Sequence, residues 1–379
     1  MTHNSQPPVE PIPLIQNLSS SSLVSGIFFF LVMILCFGNT IYEVSTDKLN
    51  LFPGEISKER FLSGKTTADI ATALKKTGFS EKSAQLQRLS SWTLFRDLGP
   101  EVREGTQGWL FLSDEFVIHE NAVASVISKT DEVKRVEKLL ADKGTTLFVL
   151  LIPDKSRVQS EQLGNLKRSE SLISRVNFFE QNLLKSKVNV LNVTDIFLEK
   201  VKVKPLFLKA DTHWSESGAQ LAATAIGQTL LDGKCQPMPK MEVISNTELR
   251  NRSGDLVKLA GLDWLSADKQ PALDYTEFST FVYKPISSTS SNVVDDLFGD
   301  KDLPNIALIG TSYSNNSHFS DFLGKALKTK VGNFAKDGGD FAGSMSSYLR
   351  SSSFKETPPS CLIWEIPERV IQNSKNRVE

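Results

Sequence analysis

The chain has 379 residues, of which 40% are hydrophobic and 23% are charged, so it can bury a sizeable core in one large domain or two small ones. A formal net charge of −1 excludes a general attraction to polyanions, and we predict no nucleic-acid partner. The three cysteines lack the close spacing of zinc or redox sites, although Cys235 and Cys361 could form one disulfide.

The N-terminal segment predicts a membrane anchor. Residues 11–42 contain no charged side chain, and residues 23–42 form an apolar run about long enough to cross a bilayer as one helix. A cleaved signal peptide is the alternative, but the mostly polar residues 1–22 lack Lys and Arg, and no A-x-A site follows the apolar run. We therefore predict a short tail over residues 1–22 and an uncleaved anchor over residues 23–42. Because the first basic residue is Lys48, the positive-inside rule does not support an N terminus in the cytoplasm.

Residues 43–100 are expected to be a tether and a helical lead-in, and residues 101–379 an α/β domain. The domain prediction rests on helices that alternate with short apolar strands, which is typical of a parallel sheet. A continuous apolar run at 145–152, stopped by Pro153, indicates a strand that is covered on both faces. The predicted elements are helices over 67–98, 129–142 and 169–187, a short strand after the turn at 105–108, and strands over 145–152 and 188–193.

Two polar stretches in this part of the chain have open roles. Residues 154–156, Asp-Lys-Ser, follow the buried strand at the edge where open α/β sheets bind ligands, and the alternative is a solvated turn. Lys200, Lys202 and Lys204 alternate, so in an extended segment they would share one face. We interpret the lysines either as a basic rim that leads an anionic, chain-like substrate to Asp211 or as a solvated strand edge.

The stretch at 206–223 carries a candidate catalytic pair. Asp211 and His213 lie where a strand or loop turns into an Ala/Leu-rich helix that Ser215 can cap. In an extended segment the two side chains point the same way, so the carboxylate can orient the imidazole. The alternatives are an Asp N-cap beside a half-buried His, and a metal site, which would need further ligands; we predict no metal.

A long irregular insertion is predicted over residues 232–302, which contain four prolines and a Gly-Asp-Leu sequence at 254–256. A connection of this length is usually functional or a small subdomain. The sequence does not resolve its fold.

The second candidate stretch follows the insertion. An apolar strand over 305–309 ends in Gly-Thr-Ser, and a helix start follows Ser312. A serine at a tight strand-to-helix turn is exposed at the sheet edge, with its own N–H directed at a developing oxyanion, which is the geometry of a nucleophile elbow. An ordinary turn serine is the alternative, and the pairing with Asp211 and His213 gives the motif its weight. His318 lies six residues after Ser312 and is poorly placed to reach its hydroxyl, and His119 has no carboxylate within three positions except Glu120, so His213 is the candidate base.

These motifs resemble the alginate O-acetyltransferase family of AlgJ-like and AlgX-like proteins, whose catalytic domain is similar to SGNH hydrolases. The likeness extends from about Gly105 to the C terminus, and in this family Asp and His precede Ser in the chain, as they do here. The resemblance implies an α/β fold with an SGNH hydrolase-like parallel sheet flanked by helices, to which this chain adds the irregular insertion and one N-terminal transmembrane helix. The shared motifs are GWLFL at 108–112, DTHW at 211–214, GTSYS at 310–314, Gly338-Gly339 and WEIPER at 364–369.

The resemblance implies a role for each site residue. Ser312 is the nucleophile, His213 the general base and Asp211 the carboxylate that orients it. The chain has G-T-S where SGNH hydrolases have G-D-S, and D-x-H where they have D-x-x-H, so the oxyanion donors stay open beyond the Ser312 N–H. The further candidate substrate-binding residues are Tyr313, Gly338, Gly339 and Arg369, of which the two glycines are also candidate oxyanion donors.

The resemblance implies a membrane-anchored enzyme whose catalytic domain lies in the periplasm. We expect it to move an acetyl group to hydroxyls of an exopolysaccharide through an acetylated Ser312, with no cofactor. The expected partners are the polysaccharide acceptor, the inner membrane and a membrane-bound O-acyltransferase that supplies acetyl groups. A polysaccharide deacetylase and a non-catalytic polysaccharide-binding scaffold are the alternatives. The polymer stays open, because the near-zero net charge suits a neutral glucan whereas the three lysines suit a uronate.

Overall fold

A computed structural model describes residues 20–271, 273–286, 303–374 and 377–378. The chain divides into two units, Met1–Phe95 and Arg96–Glu379. Most of the predicted tail, residues 1–19, and residues 272 and 287–302 of the predicted insertion lie outside the described residues.

The described residues of the Met1–Phe95 unit are mainly helical. Among the described residues, its first helix, α1, is the one helix that is long and apolar enough to cross a membrane, and none of its apolar window is buried. The predicted helix over 67–98 is two helices, because Lys76 leaves α-helical geometry and the Thr77 hydroxyl accepts the Ser80 N–H at 3.3 Å where the second begins. The helices are α1 Ser20–Ser45, α2 Lys58–Leu62, α3 Lys65–Lys75 and α4 Gly78–Phe95.

The Arg96–Glu379 unit alternates strands and helices, as predicted. Its strands are β1 Val102–Glu104, β2 Leu110–Leu112, β3 Thr146–Ile152, β4 Asn189–Asn192, β5 Met241–Arg252, β6 Asp274–Pro285, β7 Ile306–Ile309, β8 Gly332–Asn333 and β9 Cys361–Pro367. Its α-helices are α5 Ala122–Ala141, α6 Lys155–Val158, α7 Glu170–Ile173, α8 Arg175–Lys185, α9 Thr194–Lys200, α10 Glu216–Asp232, α11 Asp255–Leu259, α12 Ser312–Asn315, α13 Phe319–Leu327, α14 Gly343–Arg350 and α15 Ser352–Glu356.

A five-stranded parallel sheet in the order β4-β3-β9-β7-β8 forms the centre of this unit. Every residue of β7 and β9 is buried, because helices cover both faces of the sheet. Successive β3 side chains alternate between the two faces: Phe148 and Leu150 pack with α10 and α13, whereas Leu147 and Val149 pack with α5 and α8. The predicted α/β fold with a helix-flanked parallel sheet is confirmed.

Cys235 and Cys361 form a disulfide, with their Cα atoms 6.3 Å apart. The bond joins the segment after α10 to the first residue of β9. It therefore links a covering helix to the central sheet.

The prediction that the insertion is irregular is wrong for most of its described residues. They contain a two-stranded antiparallel ribbon. Strands β5 and β6 pair from Met241–Pro285 to Arg252–Asp274, and α11 lies between them. Side chains fasten the ribbon to the helices: Tyr283 donates to Asp321 of α13 at 3.0 Å. Most ribbon side chains are polar and exposed or half-buried, so they lack the apolar alternation that predicts a strand.

The prediction that the segment around the three lysines is extended is also wrong. Helix α9 extends to Lys200, where the buried Phe197 packs into the core, and turns follow over 201–204. Lys200 pairs with Glu199, its exposed sequence neighbour. The lysines therefore do not share one face of a strand.

Candidate active site

The Asp-Thr-His segment forms a tight loop between two anchored ends. Phe207 and Trp214 form an antiparallel bridge, and the buried Trp214 ring lies 4.7 Å from the Phe319 ring. The Ser215 hydroxyl accepts the Gly218 N–H at 3.3 Å and caps α10, as predicted. The loop therefore starts and ends on fixed core positions.

Three side chains form a continuous hydrogen-bonded chain. His213 Nδ1 lies 2.6 Å from Asp211 Oδ1, and His213 Nε2 lies 2.8 Å from Ser312 Oγ. Because a carboxylate only accepts, Nδ1 carries the proton and Nε2 accepts the proton of the Ser312 hydroxyl. Burial raises the pKa of Asp211, but the hydrogen bond from His213, followed by electrostatic attraction to His213 and Arg252, outweighs burial and holds that pKa well below its usual range. The carboxylate thus stays ionised beside the imidazole.

Ser312 is the first residue of α12 and follows β7 through a turn that Glu365 of β9 holds. The buried Glu365 carboxylate accepts the Thr311 N–H at 2.7 Å and the Ser314 hydroxyl at 3.0 Å, and burial raises its pKa. A Cβ at Gly310 would overlap the Glu365 carboxylate and the Ser314 hydroxyl. The glycine of the G-T-S sequence is therefore required by close packing.

The insertion contributes two charged residues that the sequence did not predict. Asp255 accepts the Thr212 N–H at 2.7 Å and the Thr212 hydroxyl at 2.5 Å, and its carboxylate lies 3.6 Å from His213 Nδ1. Arg252 Nη2 lies 3.4 Å from Asp211 Oδ2. Burial, followed by the charge of Asp211, raises the pKa of Asp255. The triad thus has a second carboxylate and a guanidinium beside it.

Asn316 is a third residue that the sequence did not predict. Its amide donates to the Ser312 carbonyl at 2.8 Å, lies 3.4 Å from His213 Nε2 and accepts from Arg252 at 3.0 Å. The signal that could have identified it is its position four residues after Ser312, which is one helical turn.

Asp211, His213 and Asp255 could together hold a metal ion, because one ligand atom of each lies within 4.8 Å of the others. Two ligands of a tetrahedral zinc ion would be about 3.3 Å apart, given metal–ligand distances of about 2.0 Å. The separation of 2.6 Å between Asp211 and His213 is shorter and corresponds to a direct hydrogen bond. This arrangement fits a triad better than a metal centre.

The predicted substrate-binding residues divide between the cavity and the core. Tyr313 is fully buried; its ring lies 5.2 Å from the His213 ring, its hydroxyl donates to the Thr212 carbonyl at 3.0 Å, and Arg369 donates to that hydroxyl at 3.2 Å. Tyr313 therefore supports the loop from within the core, contrary to its predicted role in substrate binding. Arg369 is half-buried, contacts Tyr313 there and is not among the described lining residues of the cavity beside Ser312. The Gly339 N–H donates to the Lys336 carbonyl at 2.9 Å, so it is not a free oxyanion donor.

Ser312 opens into a cavity of about 550 Å³. Gly338 lines it, and none of Lys200, Lys202 and Lys204 is among its described lining residues. The lining residues are Asp211, His213, Arg252, Ser253, Gly254, Asp255, Lys258, Asp263, Ser312, Asn316, Asp337 and Gly338.

Residues 154–156 neither contact this cavity nor form a solvated turn, and both interpretations are wrong. Asp154, Lys155 and Ser156 are fully buried. Asp154 pairs with Arg168 and Arg175, each at 3.0 Å. A buried charge needs such oppositely charged partners. The pattern of apolar and polar residues along the sequence cannot reveal which residues these partners are.

Comparisons with known proteins identify the family. The profile of the SGNH hydrolase-like domain of acetyltransferase AlgX matches residues 102–368. The Pseudomonas putida protein named probable alginate O-acetylase AlgJ is 30% identical over 335 residues, which cover 86% of this chain and 82% of that protein. The Pseudomonas aeruginosa protein of the same name is also 30% identical, over 74% of this chain and 73% of that protein.

Solved structures share the fold. The O-acetyltransferase domain of Pseudomonas putida AlgJ matches with a TM-score of 0.62 and 27% identity, covering 73% of this chain and 94% of that domain. Pseudomonas aeruginosa AlgX matches with a TM-score of 0.52 and 23% identity, covering 72% of this chain and 63% of that one, and at this identity it supports the fold alone.

Proposed function

Because the chain belongs to the SGNH hydrolase-like, AlgX-type acetyltransferase family and is an O-acetyltransferase, we propose that it acetylates hydroxyls of an alginate-like exopolysaccharide through Ser312. The observation that carries the proposal is the hydrogen-bonded chain from Asp211 through His213 to Ser312, which ends in an open cavity. The names of the relatives supply the polymer class.

The triad performs the transfer in two steps. In the first, His213 Nε2 takes the Ser312 hydroxyl proton as Oγ attacks the acetyl carbonyl, and the imidazolium then returns that proton to the departing donor group. In the second, His213 takes the proton of the acceptor hydroxyl, whose oxygen attacks the acetyl-serine, and Ser312 Oγ leaves with the proton. Asp211 holds the Nδ1–H tautomer and stabilises the imidazolium in both steps.

The tetrahedral intermediates of both steps need donors for their oxyanion. The Ser312 N–H is at the first position of α12, where backbone N–H groups have no acceptor within the helix. Gly338 and Asn316 line the same cavity, and we assign the Gly338 N–H and the Asn316 amide as the supporting donors. The chain has G-T-S where SGNH hydrolases have G-D-S, so the sequence did not identify its oxyanion donors. These three groups are the donors that we assign.

We assign the catalytic domain to residues 101–379 and its location to the periplasm. Residues 1–22 form the tail, 23–42 the anchor in the inner membrane, and 43–100 the tether and helical lead-in. The apolar α1 supports the anchor, and the Cys235–Cys361 disulfide supports an oxidising compartment. A membrane-bound O-acyltransferase supplies the acetyl groups in this scheme.

A polysaccharide acetylesterase is the second candidate, because Ser312 is partly exposed and water can reach an acetyl-serine there. The decisive experiment incubates the protein with a chromogenic acetyl ester and either alginate oligomers or neutral glucan oligomers, and follows acetylated sugar by mass spectrometry. We expect acetylated alginate oligomers. Release of acetate with every acceptor would identify an esterase.

The same assay tests the triad. Ser312→Ala and His213→Ala should each lower ester turnover by a factor of about 10³ or more, and the double variant should be little worse, because residues that act as a unit are not additive. Ser353→Ala, which removes an exposed serine of α15, should retain turnover and labelling by a serine-directed probe. Losses that multiply in the double variant would contradict the role of His213 as the base for Ser312.

A further inference from the structure

A second cavity, of about 350 Å³, adjoins the catalytic one. Arg252 lines both cavities, and the second is bounded by Ser317 and His318, which directly follow Asn316 of the catalytic cavity. Its other wall is the end of the β5–β6 ribbon. The volume is within the range of small-ligand sites, and its position makes it the neighbouring binding position for any substrate longer than the group that reacts at Ser312.

The ribbon register directs two guanidinium groups to this wall. Arg250 pairs with Thr276 and Arg252 with Asp274, so both arginines project from the same face of β5. The Arg250 guanidinium lies 4.4 Å from the centre of the Phe278 ring, and its Nη2 pairs with Glu248 of the same strand, so its other N–H groups are the ones offered to a ligand. Arg252 uses Nη2 for its contacts with Asn316 and Asp211, which leaves the rest of its planar group for a ligand.

Each of the two carboxylates of the cavity has neutral donors and a basic group beside it, because Lys204 Nζ lies 3.7 Å from Glu277 and His318 Nε2 lies 3.7 Å from Glu216. Glu216 accepts the Ser279 N–H at 2.8 Å and the Ser279 hydroxyl at 2.5 Å, and Glu277 accepts the Ser217 hydroxyl at 2.7 Å. The cavity therefore offers a ligand cationic donors and an aromatic ring, Phe278. A guanidinium binds a carboxylate with two parallel hydrogen bonds, and an aromatic ring supplies a flat apolar contact.

From this geometry we propose that the second cavity binds a uronate unit of the acceptor chain, next to the unit that receives the acetyl group. Arg250 and Arg252 bind its carboxylate, and its ring packs against Phe278. The proposal rests on the proposed function for the identity of the acceptor. It replaces the basic rim of Lys200, Lys202 and Lys204 with a site beside Ser312.

The test measures binding apart from transfer. The full-length Ser312→Ala protein in detergent is titrated with alginate oligomers and with neutral glucan oligomers of equal length, by calorimetry. Adding Arg250→Gln should weaken alginate binding about tenfold, and adding Phe278→Ala should weaken it severalfold. The matched control is Lys325→Gln, an exposed cation of α13 that contacts the ribbon at Ser245 outside the cavity, which should leave binding unchanged.

The possible results of this test distinguish the proposed subsite from the proposed function. A weaker alginate affinity confined to the Arg250 and Phe278 variants, and diminished by added salt, supports the subsite. Equal alginate binding by the parent and the Arg250→Gln protein would overturn the subsite while acetyl transfer stands. Absence of transfer to any polymer, together with the expected binding pattern, would overturn the proposed function alone.

Discussion

Lys155 is a buried cation that holds the loop carrying Asp211. Its ammonium group donates to the backbone carbonyls of Leu110 at 2.5 Å, Lys209 at 3.0 Å and Asp211 at 2.9 Å. All three protons are therefore used, and they tie the catalytic loop to β2. Burial lowers the pKa of Lys155 to about 8, although the charge of Glu115 opposes this.

We predict that Lys155→Met lowers ester turnover about 10- to 100-fold, because a small displacement of Asp211 and His213 misaligns the triad. The matched control is Lys129→Met. Lys129 is equally buried, its pKa is also lowered to about 8 by burial, and it donates to the Asn373 carbonyl away from the site. Turnover is measured below the unfolding temperature of both variants. Equal turnover in the two would limit Lys155 to a role in stability.

The pKa of Lys155 also predicts a pH dependence in which activity and stability separate. Between about pH 8 and the ordinary lysine pKa of 10.5, Lys155 is protonated in the unfolded chain and neutral in the folded protein. Its contribution to the stability of the fold therefore rises with pH over this range. The clamp on the loop weakens over the same range, because a neutral amine has only two protons for three carbonyls. Turnover that falls above pH 8 in the wild type, with no such step in Lys155→Met, is the expected result.

Asp211, His213 and Ser312 could be identified as candidate residues, because each lies in a short motif with its own chemistry. Asp211 and His213 are two positions apart, and Ser312 ends an apolar strand. Arg252 and Asp255 could not be predicted, because they lie more than 35 residues from His213 in the chain and reach it only through the ribbon. Sequence patterns report local periodicity, and contacts of this kind depend on how a long insertion packs.

The secondary-structure elements also divide into those that the sequence predicts and those that it does not. The strands of the central sheet are continuous apolar runs, and β3 starts within one residue of its predicted position. The ribbon was missed because its stability comes from the pairing of β5 with β6 and from polar contacts to α10 and α13, such as Ser279 with Glu216. Cross-strand pairing leaves no period in a single strand when both faces are polar.

Gly254 marks the point where the ribbon meets the catalytic loop. A Cβ at this position would overlap the backbone carbonyl of Ala210, next to Asp211. We predict that Gly254→Ala separates β5 from the loop, lowers ester turnover by about 100-fold and destabilises the fold by about 1–3 kcal/mol. Gly343→Ala, where a Cβ meets no atom within 4 Å, should change neither quantity appreciably. Turnover and thermal unfolding of the two variants check this, and normal turnover in Gly254→Ala would contradict a fixed contact.

At the scale of the whole catalytic unit, the carboxyl edge of the parallel sheet collects the functional groups. Ser312 follows β7, Lys155 follows β3, and Glu365 lies in β9, so three distant segments converge because parallel strands end at the same edge. The order of the strands explains the proximity of β3 to β7, since both pair with β9. The sheet edge positions the proposed triad and its supports, and the ribbon positions the groups of the proposed uronate subsite.

The division of the chain at Phe95 predicts that catalysis and membrane attachment are separable. A chain that begins at Arg96 keeps the sheet, the ribbon and the triad, and it loses α1, whose apolar residues are exposed. Because an apolar helix of this length favours the bilayer, removing it should move the protein from the membrane fraction to the soluble fraction, with small-ester turnover within about twofold of the full chain. The matched control lacks only residues 1–19, retains α1 and should stay in the membrane fraction. Aggregation of the chain that begins at Arg96, with its triad unchanged, would mean that the helical unit forms part of the catalytic core.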